Sequence, residues 1–294
     1  MNPIIRDLLT GLIDYAGLFP PATLDMASAT RNFAKYSLGP DAPWLGRFVI
    51  PVERLGEYEQ AVKGLEKSEQ PWRLSALSSV KLERDLGKIA EFNERHTDDG
   101  VLIDTIEIKA MGSTEIESAM GSIPGTLTPY FEISMAGDPI DLIKAIAATG
   151  ARAKVRAGGV SVESFPPPFN LARFIKSCAD EDVAFKATAG LHHALRSINK
   201  LTAEPESPRA LMHGFLNLFL AAAFAQVGVE REWLVELLEE RSLEAFQLEE
   251  DSVHWRGHLV VRSHVRNSRR LFAVAFGSCS FEEPVGELRK LGLL

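Results

Sequence analysis

Short apolar runs alternate with amphipathic runs along nearly the whole chain, and the two differ in period. "GRFVIPV", "WRLSALSS", "DTIEIKAMG", "LTPYFEIS", "ARAKVRAGG", "VAFKATAG" and "RLFAVAFGSCS" are bounded by Gly, Pro or Ser and carry β-branched or aromatic residues, which predicts strands. The runs between them repeat apolar residues every three to four positions. That spacing predicts helices over 24–36, 53–65, 82–94, 115–120, 139–148 and 170–179, a long one from 210, and a last one over 284–290. Taking "LIDYAGLFPPA" as the first strand, about eight strand–helix units fill the 294 residues. Such alternation implies right-handed crossovers and a parallel sheet, and eight units predict a single-domain (β/α)8 barrel over 1–294. The competing architecture is an open doubly wound sheet, but no Gly-rich dinucleotide fingerprint follows the first strand.

Two segments exceed the repeat, so the region between the seventh and last strands is elaborated. "SINKLTAEPESP", 197–208, is polar and Pro-punctuated, and on a barrel it falls where a loop covers the active face. The segment 231–270 has room for two helices flanking "FQLEEDSVHW", which is either irregular or a strand, and its membership of the barrel is left open. "ALMHGFLNLFLAAAFAQVG" approaches membrane length, but His213, Asn217 and Gln226 interrupt it within an α/β alternation, so a buried helix is expected.

Composition changes this picture little. The chain is 46% hydrophobic and 24% charged, with a net charge of −8, which argues against a nucleic-acid partner. The basic run "RSHVRNSRR" reads as a solvated helix face. Cys178 and Cys279 give neither a disulfide framework nor a CxxC zinc pair, and Cys178 reads as a small buried hydrophobe. The first residues are interrupted by Arg6, Asp7 and Asp14, so no signal peptide is expected. A cytoplasmic protein without membrane attachment is the expectation; homo-oligomer formation is open.

Charge placement is more informative. Strands of a parallel barrel are normally apolar on both faces. Here side-chain alternation sets Glu107 with Lys109, Glu132 with Tyr130, Lys154 with Arg156, and Lys186 with Thr188, each opposite an apolar face. Helices cover the outside, so the charged faces are expected in the lumen, near the strand ends that carry catalysis in such barrels. A structural ion-pair network is one consequence. A desolvated lysine crowded by cations is the other: its lowered pKa frees an amine to form a Schiff base with a carbonyl. Lys154 or Lys186 would be that nucleophile and the other its pKa-lowering neighbour, with Glu107 or Glu132 shuttling protons.

Anion capture falls to Arg156 with Gly158 and Gly159, and to Gly277 with Ser278, whose small turns bring backbone N–H groups close to a phosphate or carboxylate. Asp14 stands near the mouth as base or as loop residue. The adjacent His192 and His193 diverge on extended backbone, so at most one enters the lumen. One of them with His213 and Glu132 would make an N/O metal site, though no HxH or HExxH spacing supports it. His96, His254, His258 and His264 read as surface or satisfied helix residues.

Three segments, "IDYAGLFPPA", "FKATAGLHH" and "FGSCSFEEPV", together resemble a bacterial (β/α)8-barrel family with no assigned activity. "AKVRAGG" followed by "FKATAGLH" is similar to the paired lysine strands of class I aldolases of the deoxyribose-phosphate type. That resemblance covers under a tenth of the chain. It implies Lys154 as Schiff-base nucleophile and Lys186 as the partner that lowers its pKa. The chain departs from the pattern where Val155 and Arg156 follow Lys154, where Ala189 replaces a glycine, and where Glu107 and Lys109 replace a fourth-strand aspartate. The expected function is a cofactor-independent carbon–carbon lyase or isomerase on a small anionic carbonyl compound. A metal-dependent lyase or hydrolase and a non-catalytic barrel binding an anionic metabolite are the alternatives.

Overall fold

A computed structural model describes residues 1–294. The strands in chain order are β1 (Ile13–Tyr15), β2 (Leu45–Pro51), β3 (Trp72–Leu77), β4 (Val101–Lys109), β5 (Thr128–Glu132), β6 (Arg152–Arg156), β7 (Phe185–Thr188), β8 (Ser197–Lys200), β9 (Arg209–Met212), β10 (Gln247–Leu248), β11 (Ser252–Trp255), β12 (His258–Val261) and β13 (Ala273–Ser278). The first seven close through β13 into an eight-stranded barrel in which every pairing is parallel. The chain is therefore a (β/α)8 barrel, as the strand–helix alternation predicts.

Alternation divides each strand. Phe48, Phe131 and Phe185 are fully buried. Phe48 meets Phe33 of helix Met26–Leu38 at a ring separation of 5.4 Å, and Phe185 meets Phe174 of helix Pro168–Asp180 at 5.3 Å. Both pairs meet edge-on, the arrangement in which a positive ring edge faces a negative ring face. The lumen-facing positions carry the charges instead. Helix Phe215–Gln226 has no polar stripe; all its residues but the last are buried, which explains its unbroken apolar run. No helix is long and apolar enough to cross a membrane.

The structure differs from the sequence expectation in the elaborated region. The predicted helix from Ala210 begins at Phe215, because Arg209–Met212 pair with Ser197–Lys200 as the antiparallel ribbon β8–β9. The segment around "FQLEEDSVHW" does not enter the barrel; β10, β11 and β12 form a separate antiparallel sheet. It lies between helix Arg231–Glu239 and helix Arg262–Asn267. In the basic run, Arg269 is not solvated. It is buried and donates from Nε to the Leu8 carbonyl at 2.6 Å, holding the turn before β13 to the N-terminal helix Pro3–Leu9.

Candidate active site

Six side chains form one ionic chain across the lumen. Lys186 Nζ donates to Asp14 Oδ2 at 2.5 Å and to Glu107 Oε1 at 2.6 Å. Glu107 Oε2 receives Lys154 Nζ at 2.6 Å, and the same ammonium reaches Glu132 Oε2 at 2.7 Å. Arg156 completes the run with a 3.2 Å bond to Glu132 Oε1. Three carboxylates alternate with three cations, so the chain is neutral although four of its members are almost wholly buried. That balance is what makes it tolerable, since an uncompensated ion there would lose several kcal/mol of hydration.

Strand register builds the arrangement. Glu132 is the Cα partner of Lys154 across β5–β6, and Lys154 is the partner of Lys186 across β6–β7. Asp14 enters from β1, and its Oδ1 accepts the Arg47 backbone N–H at 2.7 Å. Glycine at 46 makes room for that carboxylate: a Cβ there would stand 2.3 Å from Oδ1. Ser75 of β3 donates to Glu107 Oε1 at 2.6 Å, so Glu107 is fixed by three donors from three strands.

The electrostatics overturn one expectation. Burial opposes ionisation of Glu107, but Lys154 and Lys186 on either side hold its carboxyl well below the usual carboxylate range. Burial also opposes charge on Lys186, yet Asp14 and Glu107 outweigh it and hold the ammonium above the ordinary lysine range. Lys186 is therefore a clamped cation and not an amine freed by cationic crowding. The reason is positional: Glu107 stands between the two lysines, and each ammonium contacts two carboxylates.

Above this network lies a cavity of about 860 Å3 at the C-terminal mouth of the barrel. Lys154, Lys186 and Glu107 line it, with Arg156, Gly158, Gly159, Thr188, His192, His193 and Gly277 of the residues expected from sequence. Gly158 is indispensable to its shape, because a Cβ there would be 2.8 Å from the Gly190 Cα and 2.5 Å from the Phe165 ring. The ribbon β8–β9 walls one side, as the polar excursion at 197–208 suggests, and contributes Lys200 and Arg209. Neither pairs with a carboxylate; they donate to the Pro205 and Ile198 carbonyls at 2.8 and 2.9 Å. Two cations are thus free to meet an anion at the cavity wall.

Five expected residues do not line the cavity; one of them, Glu132, is held in the ionic chain by Lys154 and Arg156. Lys109 is exposed at the last position of β4, past the layer of Glu107, and has no carboxylate partner. Asp14 lies beneath Lys186 and does not line the cavity. Ser278 is buried behind the wall, 3.5 Å from His192 Nδ1, and does not line it either. His213 is fully buried away from the mouth, with Nε2 2.8 Å from the Pro166 carbonyl and Nδ1 3.1 Å from Arg196. Burial, with Arg196 adding to it, lowers its pKa to about 4. The imagined cluster of His213, Glu132 and one of His192 or His193 is not assembled, and no three His, Cys, Asp or Glu side chains are grouped to hold a metal ion.

Sequence reasoning missed Ser75, Gly46, Gly190, Lys200, Arg209, Cys279 and Glu283. Gly190, Cys279 and Glu283 carried a signal, the first in "FKATAGLHH" and the other two in the segment "FGSCSFEEPV" that joins β13 to the final helix. No protein-family model matches the sequence, and no curated protein matches it.

Proposed function

We propose that the protein is a Schiff-base carbon–carbon lyase or isomerase acting on a small phosphorylated or carboxylated carbonyl compound. The observation that carries this reading is a pair of lysines on neighbouring strands, joined through Glu107, at the surface of a cavity whose wall holds two unpaired cations. Lys154 is the nucleophile. Its ammonium passes a proton to Glu132, and the amine attacks the carbonyl carbon. The carboxylate returns that proton to the hydroxyl of the carbinolamine, which leaves as water to give an iminium, and the iminium withdraws electrons from the adjacent C–C or C–H bond. Lys186, held charged by Asp14, keeps Glu107 ionised and supplies a fixed positive charge; it takes no covalent part. Lys200, Arg209 and Arg156 hold the anionic end. The local likeness of "AKVRAGG" and "FKATAGLH" to class I aldolase strands supports the same choice of lysine.

Borohydride reduction in the presence of pyruvate, glyoxylate and glycolaldehyde phosphate, read by peptide mass spectrometry, tests this. A reduced adduct on Lys154 that Lys154→Arg abolishes is the expected result. No adduct on either lysine across the panel refutes the covalent mechanism, and an adduct on Lys186 alone refutes its assignment as a clamped cation. A second reading has one observation in its favour, the complete mutual charge balance of the six side chains in the ionic chain. It is a barrel that binds the anion without turning it over, and ligand-induced thermal stabilisation with no adduct and no product would select it.

A further inference from the structure

Beside the lysines, the cavity wall carries a second set of groups with nucleophilic geometry. Cys279 follows β13, and its Sγ stands 3.9 Å from His192 Nε2. The other ring nitrogen, Nδ1, is 2.9 Å from Glu283 Oε2 on helix Glu282–Lys290. Glu283 can only accept there, so it fixes the proton on Nδ1 and turns the Nε2 position toward sulfur. The order is nucleophile, base and orienting carboxylate, and all three residues line the cavity. Cys178, the other cysteine, is fully buried in helix Pro168–Asp180 and has no such neighbours.

We infer that Cys279, His192 and Glu283 form a thiol nucleophile site that captures the carbonyl carbon of a small anionic aldehyde as a thiohemiacetal. The thiol proton passes to His192 Nε2, and the sulfur attacks the carbonyl carbon. A C–S bond forms, the C=O π pair moves to oxygen, and the proton held by His192 is delivered to that oxygen. No oxidant or reductant enters, and the step is reversible. The unpaired Lys200 and Arg209 on the same cavity supply the preference for an anion.

The surroundings suit this role. Burial alone would disfavour the His192 imidazolium, but its bonds to Cys279 and Glu283 outweigh that and raise its pKa to about 10, so the cation formed when Nε2 takes the thiol proton is stabilised where it forms. The other titratable groups nearby are His193, which lies 3.6 Å from Glu287, and Tyr15 and Glu282 on the flanking elements. This site does not depend on Lys154, so the two chemistries can fail separately.

The test is alkylation of the intact protein by iodoacetamide at pH 6, with peptide mass spectrometry resolving Cys279 from Cys178 and glutathione as the unactivated thiol. Cys279 is expected to react at least about tenfold faster than glutathione, and His192→Asn and Glu283→Gln are each expected to remove that excess. Glyoxylate is expected to protect Cys279 reversibly, in the wild type and in Lys154→Arg alike. Oxalate, an anion without an electrophilic carbonyl, is expected not to. A wild-type rate no faster than glutathione overturns the inference even if a variant fails to fold. So does an excess that His192→Asn leaves intact, or protection by oxalate equal to that by glyoxylate.

Discussion

Replacing Lys186 with methionine removes the one cation shared by Asp14 and Glu107 while roughly keeping the side-chain volume. Glu107 retains Lys154 and Ser75, whereas Asp14 keeps only the Arg47 N–H. The ionic chain then holds three carboxylates against two cations, and Asp14 bears the excess. Removing one member of a buried pair costs about 3–5 kcal/mol. Urea unfolding at pH 7 should therefore show a deficit of about 3–5 kcal/mol. Adding Asp14→Asn keeps the acceptor for the Arg47 N–H and restores neutrality, so the double variant should regain most of the loss. A deficit below about 1 kcal/mol, or a double variant no more stable than the single, would refute an ionised Lys186 clamped between two carboxylates.

Two further outcomes follow from the packing around the site. Gly46→Ala drives a methyl to within 2.3 Å of Asp14 Oδ1 and should destabilise by about 2 kcal/mol or more in urea unfolding, whereas Gly56→Ala, which meets no atom within 4 Å, should not destabilise. His213 is held neutral to about pH 4 against an unfolded value near 6.5, so the unfolded chain binds its proton first on acidification; stability should fall by about 3 kcal/mol between pH 6.5 and 4, and His213→Gln should flatten that slope in a pH series of thermal melts.

The barrel was legible because its signal is repeated. Each strand–helix unit is weak alone, but eight in succession exclude most other architectures, and the charged faces of β4, β5, β6 and β7 are readable from alternation without knowing their neighbours. What alternation cannot supply is height in the lumen. Lys109 and Glu107 lie on the same face of β4, yet one is exposed at the strand end and the other is buried beside two lysines. The same blindness explains Lys186. Its proximity to Lys154 was inferred correctly, but the carboxylate between them comes from β4, three strands away in the barrel, and reverses the direction of the pKa shift. His213 failed for a different reason. A helix was expected to start at Ala210, and the ribbon β8–β9 instead carries residues 209–212 across the mouth before His213 turns inward. Lys200 and Arg209 were invisible for the same cause: only pairing of the ribbon brings two ordinary surface cations to one wall.

Under the proposed chemistry, the alternation of sign has a use beyond stability. An ammonium and an iminium carry the same charge, so converting Lys154 into a Schiff base leaves the sum over Asp14, Lys186, Glu107, Lys154, Glu132 and Arg156 unchanged. A neutral amine resting in this position would require the opposite design, in which forming the iminium creates a new buried charge. The network thus stabilises the intermediate with dipoles and charges already in place, which is how preorganised sites avoid reorganisation during reaction. The demanding step moves to the brief loss of the Lys154 proton, and Glu132 is suited to receive it. It is less buried than Glu107, and Arg156, its other cation, is half exposed and able to turn toward an incoming anion. An anion that draws Arg156 away leaves Glu132 more basic at the moment its proton acceptance is needed. Binding and activation would then be one event, and Arg156→Gln should lower adduct formation on Lys154 more than it lowers affinity for the anion.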